Sequence, residues 1–337
     1  GGNTGGGSGG SVWIVCNIID GAGIIRANGG SGYTNSGGGG GGRIAIYYGS
    51  NNFGGSITAY GGNGYQPGGA GTVYTKGASQ SYGDLVIRNN NVSAIATDIV
   101  DGDYRFDNVF VKEKGSLNIS GGDTFYTNNL YIQTSGAVTN AGDLHVPGNF
   151  VLDSGGTMTH NNGSFNNGDL VVGNGSTFVL NKKLALPNVV VKSGGLLTHT
   201  TGVSGFEVEA SGDITIESGG NIDASGGGYS GDLGADNGPG GGGVCAGASY
   251  GGKGGRGGIL SITKDVYGSI TEPVDMGSGG GNNGSGYPGG RGGGTVKISA
   301  GGRITVNGMI SVNGSNGYAS GGNTGGGSGG SVWIVCN

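Results

Sequence analysis

Four aspartates between positions 98 and 107 form the densest group of possible metal ligands in the sequence. Asp98, Asp101 and Asp103, together with Asp107, lie in the segment DIVDGDYRFD. Carboxylate oxygens in a short turn that contains glycine are ligands that Ca²⁺ accepts. The spacing is neither that of an EF-hand loop nor that of a GGxGxDx nonapeptide repeat. A calcium site at Asp98, Asp101 and Asp103 is therefore weighed against a solvated acidic loop, and no other cofactor is expected.

Cysteine chemistry rests on Cys16, Cys245 and Cys336. Cys336 repeats Cys16, because residues 321–337 have the same sequence as residues 1–17. Each period therefore contributes two cysteines, and an even number in a secreted chain favours pairing. We predict a disulfide from Cys245 to Cys16 or Cys336, with free buried thiols as the alternative.

Tyrosines recur at one kind of place, directly after Gly or Ser inside a glycine-rich stretch. The six are Tyr33, Tyr65, Tyr229, Tyr250, Tyr287 and Tyr318. Such a ring could anchor its glycine loop by burying apolar area while the hydroxyl stays in water. The rival role is stacking against the sugar rings of a glycan, which would make the loops a binding surface.

Asparagines supply a further modification pattern, Asn-x-Ser/Thr, which is an N-glycosylation acceptor. It occurs at Asn91, Asn118, Asn162, Asn174, Asn283 and Asn313. The motif is no more frequent than composition alone would give, so a glycan coat is expected only if the source cell glycosylates its secreted proteins.

No residue pattern favours catalysis, although β-helical scaffolds are used by polysaccharide lyases and hydrolases. Those enzymes need clustered carboxylates, or carboxylates beside Arg or Lys, on one sheet face. Lys112, Asp153 and Lys192 do not fall in register with one another. His160 follows Asn140 at the same position of successive segments, and stacking that satisfies backbone groups is the expected role of such polar residues. We predict no catalytic residues.

The arrangement of the strands that would position these residues can be inferred from a repeat in the sequence. Residues 1–17 and 321–337 are identical, so the period is 320 residues. We expect one unit of a tandem array with four regions: glycine-rich coils at 1–88 and 213–320, regular coils at 89–212, and the start of the next copy at 321–337.

The middle region shows the clearest coil pattern. Segments that begin at Val109, Leu130, Phe150, Leu170 and Val189 each read as a short strand, a turn and a second short strand. A period close to 20 residues, with alternation of apolar and polar positions inside each strand, predicts a parallel β-helix, because stacked coils bury a continuous core. No α-helix is expected. Counting the glycine-rich version of the coil as well gives roughly 11–12 coils per period, or about 55 Å of axial advance.

The glycine-rich coils contain strands such as SVWIVC, in which Val12, Ile14 and Cys16 should face the core. Trp13 and Val15 would then point outward, where an apolar patch invites association unless a glycine loop folds over it. Between these strands we expect long glycine loops on one side of the coils.

Composition limits the partners. The net charge is −5 with 11% charged residues, and scattered Lys and Arg provide no basic stripe for nucleic acid. No apolar stretch approaches the ~20 residues of a membrane span. With 90 glycines the chain could be disordered, but recurrent β-branched strands and low charge favour order.

Units such as GGGSGGSVWI and GGGGGGRIAIYY resemble the glycine-rich parallel β-solenoid repeats of giant extracellular microbial surface and filament proteins. The resemblance implies a right-handed solenoid at the cell surface. The expected function is structural: an extracellular filament or appendage whose repeats stack head to tail, with neighbouring copies as partners. An adhesin or carbohydrate-binding stalk, with glycans as partners, is the alternative.

Overall fold

The computed structural model describes residues 4–99, 104–203, 206–231, 237–257, 261–318 and 323–336. Within these ranges the chain is all-β, with 27 strands and no helix. Accordingly, the described part has no helical segment of the length and apolar character needed to cross a membrane. The chain divides into two compact units, residues 1–177 and 178–337.

The first unit contains sixteen strands. They are β1 (Ser11–Gly21), β2 (Ile24–Arg26), β3 (Arg43–Phe53), β4 (Ser56–Thr58), β5 (Thr72–Gly77), β6 (Asp84–Arg88), β7 (Thr97–Asp98), β8 (Tyr104–Lys112), β9 (Ser116–Ile119), β10 (Thr124–Ile132), β11 (Ala137–Asn140), β12 (Asp143–Val146), β13 (Phe150–Leu152), β14 (Thr157–His160), β15 (Phe165–Asn167) and β16 (Leu170–Val172).

The second unit contains the remaining described strands. They are β17 (Thr177–Leu180), which begins at the unit boundary, β18 (Leu184–Leu186), β19 (Val189–Val191), β20 (Leu196–Thr198), β21 (Glu207–Ala210), β22 (Ile214–Ile216), β23 (Asn221–Asp223), β24 (Thr295–Ala300), β25 (Ile304–Val306), β26 (Met309–Ser311) and β27 (Ser331–Cys336).

Strands of the first unit pair with the equivalent strand of the next segment along the chain. The main sheet runs β1-β3-β5-β6-β8-β10-β13-β16, with β12 beside β10 and β15 beside β12, and a second sheet runs β7-β9-β11-β14. Val109 faces Leu130, and Leu130 faces Phe150, which confirms the predicted register of successive segments. Alternate residues are buried, so Val109 and Leu130 lie in the core and Phe110 and Tyr131 do not.

One pair of neighbouring strands departs from the parallel pattern. β5 and β6 form an antiparallel pair in which Val73 faces Val86. The turn between them includes Gly83, whose φ of 80° lies in the left-handed region. Asp107 accepts hydrogen bonds from the Tyr82 and Gly83 amides at 3.0 and 2.9 Å, which fixes this turn. A constant coil period did not predict this reversal.

The second unit has the same style of parallel pairing. Its sheets run β19-β22-β25, β17-β20-β23-β26 and β18-β21-β24-β27. Val208 faces Ile298, and Ile298 faces Ile334, so one apolar ladder crosses three strands. Ile214, Ile222 and Ile298 are fully buried, which places the core between the sheets.

The sequence analysis predicted that the glycine-rich stretches are long loops, but the structure shows them packed against one another. In the first unit residues 4–10, 27–33, 37–42, 59–64 and 66–71, which we call the glycine segments, lie outside the strands yet exchange backbone hydrogen bonds. Gly38 and Gly41 donate to Gln66 and Gly69, whereas Gly39 and Gly42 donate to Gly30 and Ala27. Every third residue thus faces the same neighbour, which is the periodicity of polyproline II chains packed side by side.

Crowding explains why these segments are glycine. None of them contains a left-handed φ, so conformational freedom is not the reason. A methyl group on Gly39 would lie within 3.0 Å of the Gly7 carbonyl oxygen, and one on Gly38 would lie within 3.0 Å of the Gly62 carbonyl oxygen. Backbones this close leave no room for Cβ, as at the axis of collagen.

We therefore predict that Gly39→Ala lowers the free energy of unfolding by about 3 kcal/mol or more, since overpacking against backbone has no cheap relief. Gly54→Ala is the matched control, because a methyl group added at Gly54 would have no heavy atom within 4 Å and the φ there is not left-handed. Its effect should stay below about 1 kcal/mol. Urea denaturation of both variants provides the measurement, and equal losses would contradict the crowding argument.

Candidate functional site

The sequence SVWIVC occurs twice, as Ser11–Cys16 in β1 and as β27, and we call both copies the junction strand. In β1, Val12 and Ile14 pack against the core cluster around Ile44 and Ile46, as predicted. Trp13 and Val15 point outward with 78% and 70% of their surface exposed, which also confirms the prediction. An apolar patch of this kind marks a contact surface.

The second copy of the junction strand lies in a different environment. Trp333 is half-buried and not exposed, because the ammonium group of Lys297 in β24 lies 5.1 Å from the indole centroid. A cavity of about 280 Å³ beside the ring is lined by Phe206, Pro273 and Val274 among others. Pro273 and Val274, which belong to the segment that precedes β24, therefore lie beside the same cavity as the indole.

Ser331 begins the second junction strand and is 2% exposed. Its hydroxyl donates to the Asp275 carbonyl oxygen at 2.6 Å and lies 2.5 Å from the Tyr250 hydroxyl. Ser11, the same residue in the first copy, is exposed. The same sequence therefore has different neighbours in its two copies: Ser331 is buried against Asp275 and Tyr250, whereas Ser11 is exposed.

A charge ladder continues from Trp333 across the second unit. Lys297 pairs with Glu207 at 3.0 Å, and Lys183 lies between Glu207 and Glu209. Burial opposes ionisation of Glu207, but hydrogen bonds from Lys297 and Lys183 outweigh it and hold the pKa of this carboxyl below its ordinary value. Sequence reasoning missed this cluster, although alignment of EVEA with TVKISA as paired strands would have placed Glu207 opposite Lys297.

The six predicted tyrosines divide into two groups. Tyr250 packs edge to face against Tyr267 at 4.8 Å, and Tyr229 lies against Gly238, so both fasten chain segments. The other four are exposed: Tyr33 at 63%, Tyr65 at 83%, Tyr287 at 39% and Tyr318 at 51%. Tyr287 and Tyr318 stack with ring centroids 5.4 Å apart and planes 17° from parallel.

The cysteine and carboxylate predictions fare differently. Cys16, Cys245 and Cys336 are all free thiols, so the disulfide predicted from Cys245 to Cys16 or Cys336 is not formed in this structure. Asp98 accepts a hydrogen bond from Asn118 at 2.7 Å, whereas Asp101 and Asp103 lie outside the described residues. In the described ranges no group of three or more His, Cys, Asp or Glu residues is placed to hold a metal.

The glycosylation motifs differ in accessibility. Asn91, Asn162, Asn174 and Asn313 are exposed, whereas Asn118 and Asn283 are half-buried. The Asn283 side-chain oxygen accepts hydrogen bonds from the backbone amides of Ser285 and Tyr287. The four exposed motifs are therefore the ones on which a transferase would find an accessible side chain.

Two histidines serve the core and not a surface site. His160 faces Asn140 on the adjacent strand, and the Asn140 amide lies 3.2 Å from His160 Nδ1, which agrees with the predicted polar stack. His199 Nδ1 donates to the Thr200 carbonyl oxygen at 2.9 Å, while its Nε2 is buried without a hydrogen-bond partner. Burial lowers the pKa of His199, and the hydrogen bond to Thr200 offsets only part of that effect.

This shift makes stability depend on pH in a defined direction. The neutral imidazole is the form that the fold accepts, so the contribution of His199 is complete above the unfolded-state pKa of about 6.5 and is lost as pH falls below it. Below about pH 6.5 we expect an added loss of stability whose slope is at most about 1.4 kcal/mol per pH unit.

Urea denaturation at a series of pH values measures that loss. His199→Gln should flatten the profile in this window. A native slope retained by His199→Gln would rule out His199 as the cause.

Comparison with known proteins adds no further constraint. No protein-family model matches the chain, and neither a curated protein nor a solved structure matches it.

Proposed function

We propose that the chain winds as a right-handed parallel β-solenoid whose successive turns are the segments of about 20 residues found in the sequence. Support comes from two strand columns that advance together. β8, β10 and β13 pair in order while β9, β11 and β14, which alternate with them along the chain, pair in the same order. A chain that returns to each column once per segment is winding around a common axis.

The function that this geometry supports best is that of a structural protein: an extracellular filament or appendage built from 320-residue repeats stacked head to tail. One observation supports it above the others. The junction strand pairs with β24 in one copy and with β3 in the other, in the same register, so one strand can join two repeats. The chain is not proposed to be an enzyme.

Placement at the cell surface is part of the same proposal. It rests on the resemblance to glycine-rich surface proteins and on the exposed Asn-x-Ser/Thr motifs at Asn91, Asn162, Asn174 and Asn313. The partners are neighbouring copies of the repeat along the filament axis.

Electron microscopy of chains that contain two, four and six consecutive periods tests the filament. Rods of uniform width should lengthen by about 55 Å for each added period, because strands in register stack at about 4.8 Å. Particles whose longest dimension does not grow with the number of periods, or rods that grow by about 100 Å per period, would contradict the solenoid and the filament together.

A second candidate function, binding of glycans by the tyrosine-bearing segments, is favoured by one contact. The stacked Tyr287 and Tyr318 rings are both exposed and present an apolar face of the kind that sugar rings stack on. Tyr33 and Tyr65 are still more exposed, and an anchoring role would have buried them.

Glycan-array binding by the native chain and two variants tests this candidate. The double variant Tyr287→Ala with Tyr318→Ala should lose at least about tenfold in affinity, since each stacked ring is worth roughly 1 kcal/mol. Tyr82→Ala, which removes an exposed tyrosine outside the glycine segments, should bind as the native chain does. Absence of glycan binding by the native chain, or equal binding by all three, would leave the structural function alone.

A further inference from the structure

The start of each repeat has hydrogen-bonding groups that the repeat itself leaves unused. Residues 4–10 and their copies 324–330 have the same sequence but different neighbours. In the first copy, Gly6 and Gly9 donate to Gly37 and Gly40 at 3.0 and 2.8 Å. In the second copy the donors are the equivalents of positions 5, 7, 8 and 10, namely Gly325, Gly327, Ser328 and Gly330.

The accepting carbonyl groups divide in the same way. In the first copy the carbonyl oxygens of Thr4, Gly7 and Gly10 accept from later residues of the same repeat. In the second copy the accepting residues are Gly325, Gly326 and Ser328, which correspond to positions 5, 6 and 8. Among the described residues no backbone group of this segment is used in both copies. Together the two copies satisfy every amide from position 5 to position 10.

The two copies also differ in the positions of this segment at which only glycine fits. Gly7 and Gly10 have no heavy atom near the position of an added methyl group, so nothing in the first copy requires glycine there. In the second copy a methyl group at the equivalent Gly327 or Gly330 would lie within 3.0 Å of the carbonyl oxygen of Arg291 or Gly294. Gly6 is the reverse case, because its methyl group would meet Gly30 while that of Gly326 would lie 3.6 Å from Ser315.

Side chains of the junction strand match on both sides as well. Val296 of β24 faces Val332, and Val12, the same residue in the first copy, faces Ile44. The neighbouring ladder joins Ile298 to Ile334, and Ile14 to Ile46. Each strand that flanks the junction strand is thus apolar at the positions that face the core.

We propose that residues 4–16 are the docking strand for the preceding copy of the repeat, which holds them in a groove formed by β24, the glycine-rich residues 277–294 and residues 273–275. This inference rests on the proposed head-to-tail stacking and identifies its contact surface. Trp13 then lies in every internal repeat as Trp333 does here, beside the Lys297 ammonium and next to a cavity that Val274 also lines. Strand addition of this kind combines main-chain hydrogen bonds with side-chain specificity.

In the present chain the groove is already filled by residues 324–336. A chain that ends at position 320 would have both an open groove and a free docking strand. We expect it to form multimers by sedimentation velocity at concentrations where the 337-residue chain is a monomer. A peptide with the sequence of residues 321–337, in excess, should return the shortened chain to a monomer that carries one peptide.

Two peptide variants provide the specific test. Gly327→Ala in the peptide should weaken binding at least about a hundredfold, because the methyl group meets backbone that cannot move away. Gly326→Ala should bind within about threefold of the native peptide, since ordinary contact distance is kept there. Tryptophan emission in a shortened chain with Trp13→Phe reports binding, because the peptide then contains the one tryptophan, and its emission should shift to the blue.

The same contrast applies to the proteins themselves. Gly7→Ala should prevent multimers of the shortened chain and leave the unfolding midpoint of the 337-residue chain unchanged, whereas Gly327→Ala should lower that midpoint. If the shortened chain lacks the β-sheet circular dichroism of the longer one, restoration by the native peptide but not by the Gly327→Ala peptide supports docking. A shortened chain that neither associates nor binds the peptide, or one that binds both variants equally, overturns the proposal.

This outcome is separable from that of the filament. Specific peptide docking with no growth of rods in longer chains would retain the docking strand and reject the filament. Rods that lengthen with each period, but whose shortened units do not distinguish the two peptides, would do the opposite.

Discussion

The distance between neighbouring backbones is the constraint on which the whole structure depends. Successive passes of the chain are joined by backbone hydrogen bonds, which require a spacing of about 4.8 Å. A strand such as β10 has neighbours in one plane, so its side chains can project above and below. Residues 277–281 instead exchange hydrogen bonds with the segments around Asn237, Ala246, Gly290 and Gly325. A chain surrounded in this way leaves little room for side chains, and four of these five residues are glycine.

These two modes of packing divide the work of stabilisation. The strands bury apolar residues such as Ile87, Leu130 and Ile298 completely, and burial of a side chain of this size contributes about 1.5–3 kcal/mol. The glycine segments bury almost no apolar side chain, and their order comes from backbone hydrogen bonds to the neighbouring segments. Each glycine also loses more conformational entropy on folding than any other residue. Attachment to the strands on either side, as at Gly42 before β3, supplies the alignment that an isolated glycine segment would lack.

Apolar alternation predicted the parts of the fold where side chains decide the structure. The register of Val109, Leu130 and Phe150 and the outward position of Trp13 follow from that alternation and were confirmed. Glycine has no side chain from which a periodicity can be read, so the packed segments were expected to be loops. The antiparallel β5–β6 pair depends on the turn that Asp107 fixes from a distant strand, which local sequence does not indicate. Predicting whether Cys245 forms a disulfide requires the path of the glycine-rich stretch that contains it. Predicting the ion pairs of Glu207 requires the register of the strands beside it.

Uncharged contacts have a consequence for the conditions in which such a protein can work. Most of the hydrogen bonds that join one pass to the next connect backbone amides and carbonyl oxygens, and ion pairs such as Lys253–Asp265 lie at the exposed surface. Dissolved salt screens attraction between exposed charges but acts far less on buried dipoles. The stability of the fold should therefore change little between fresh water and brine.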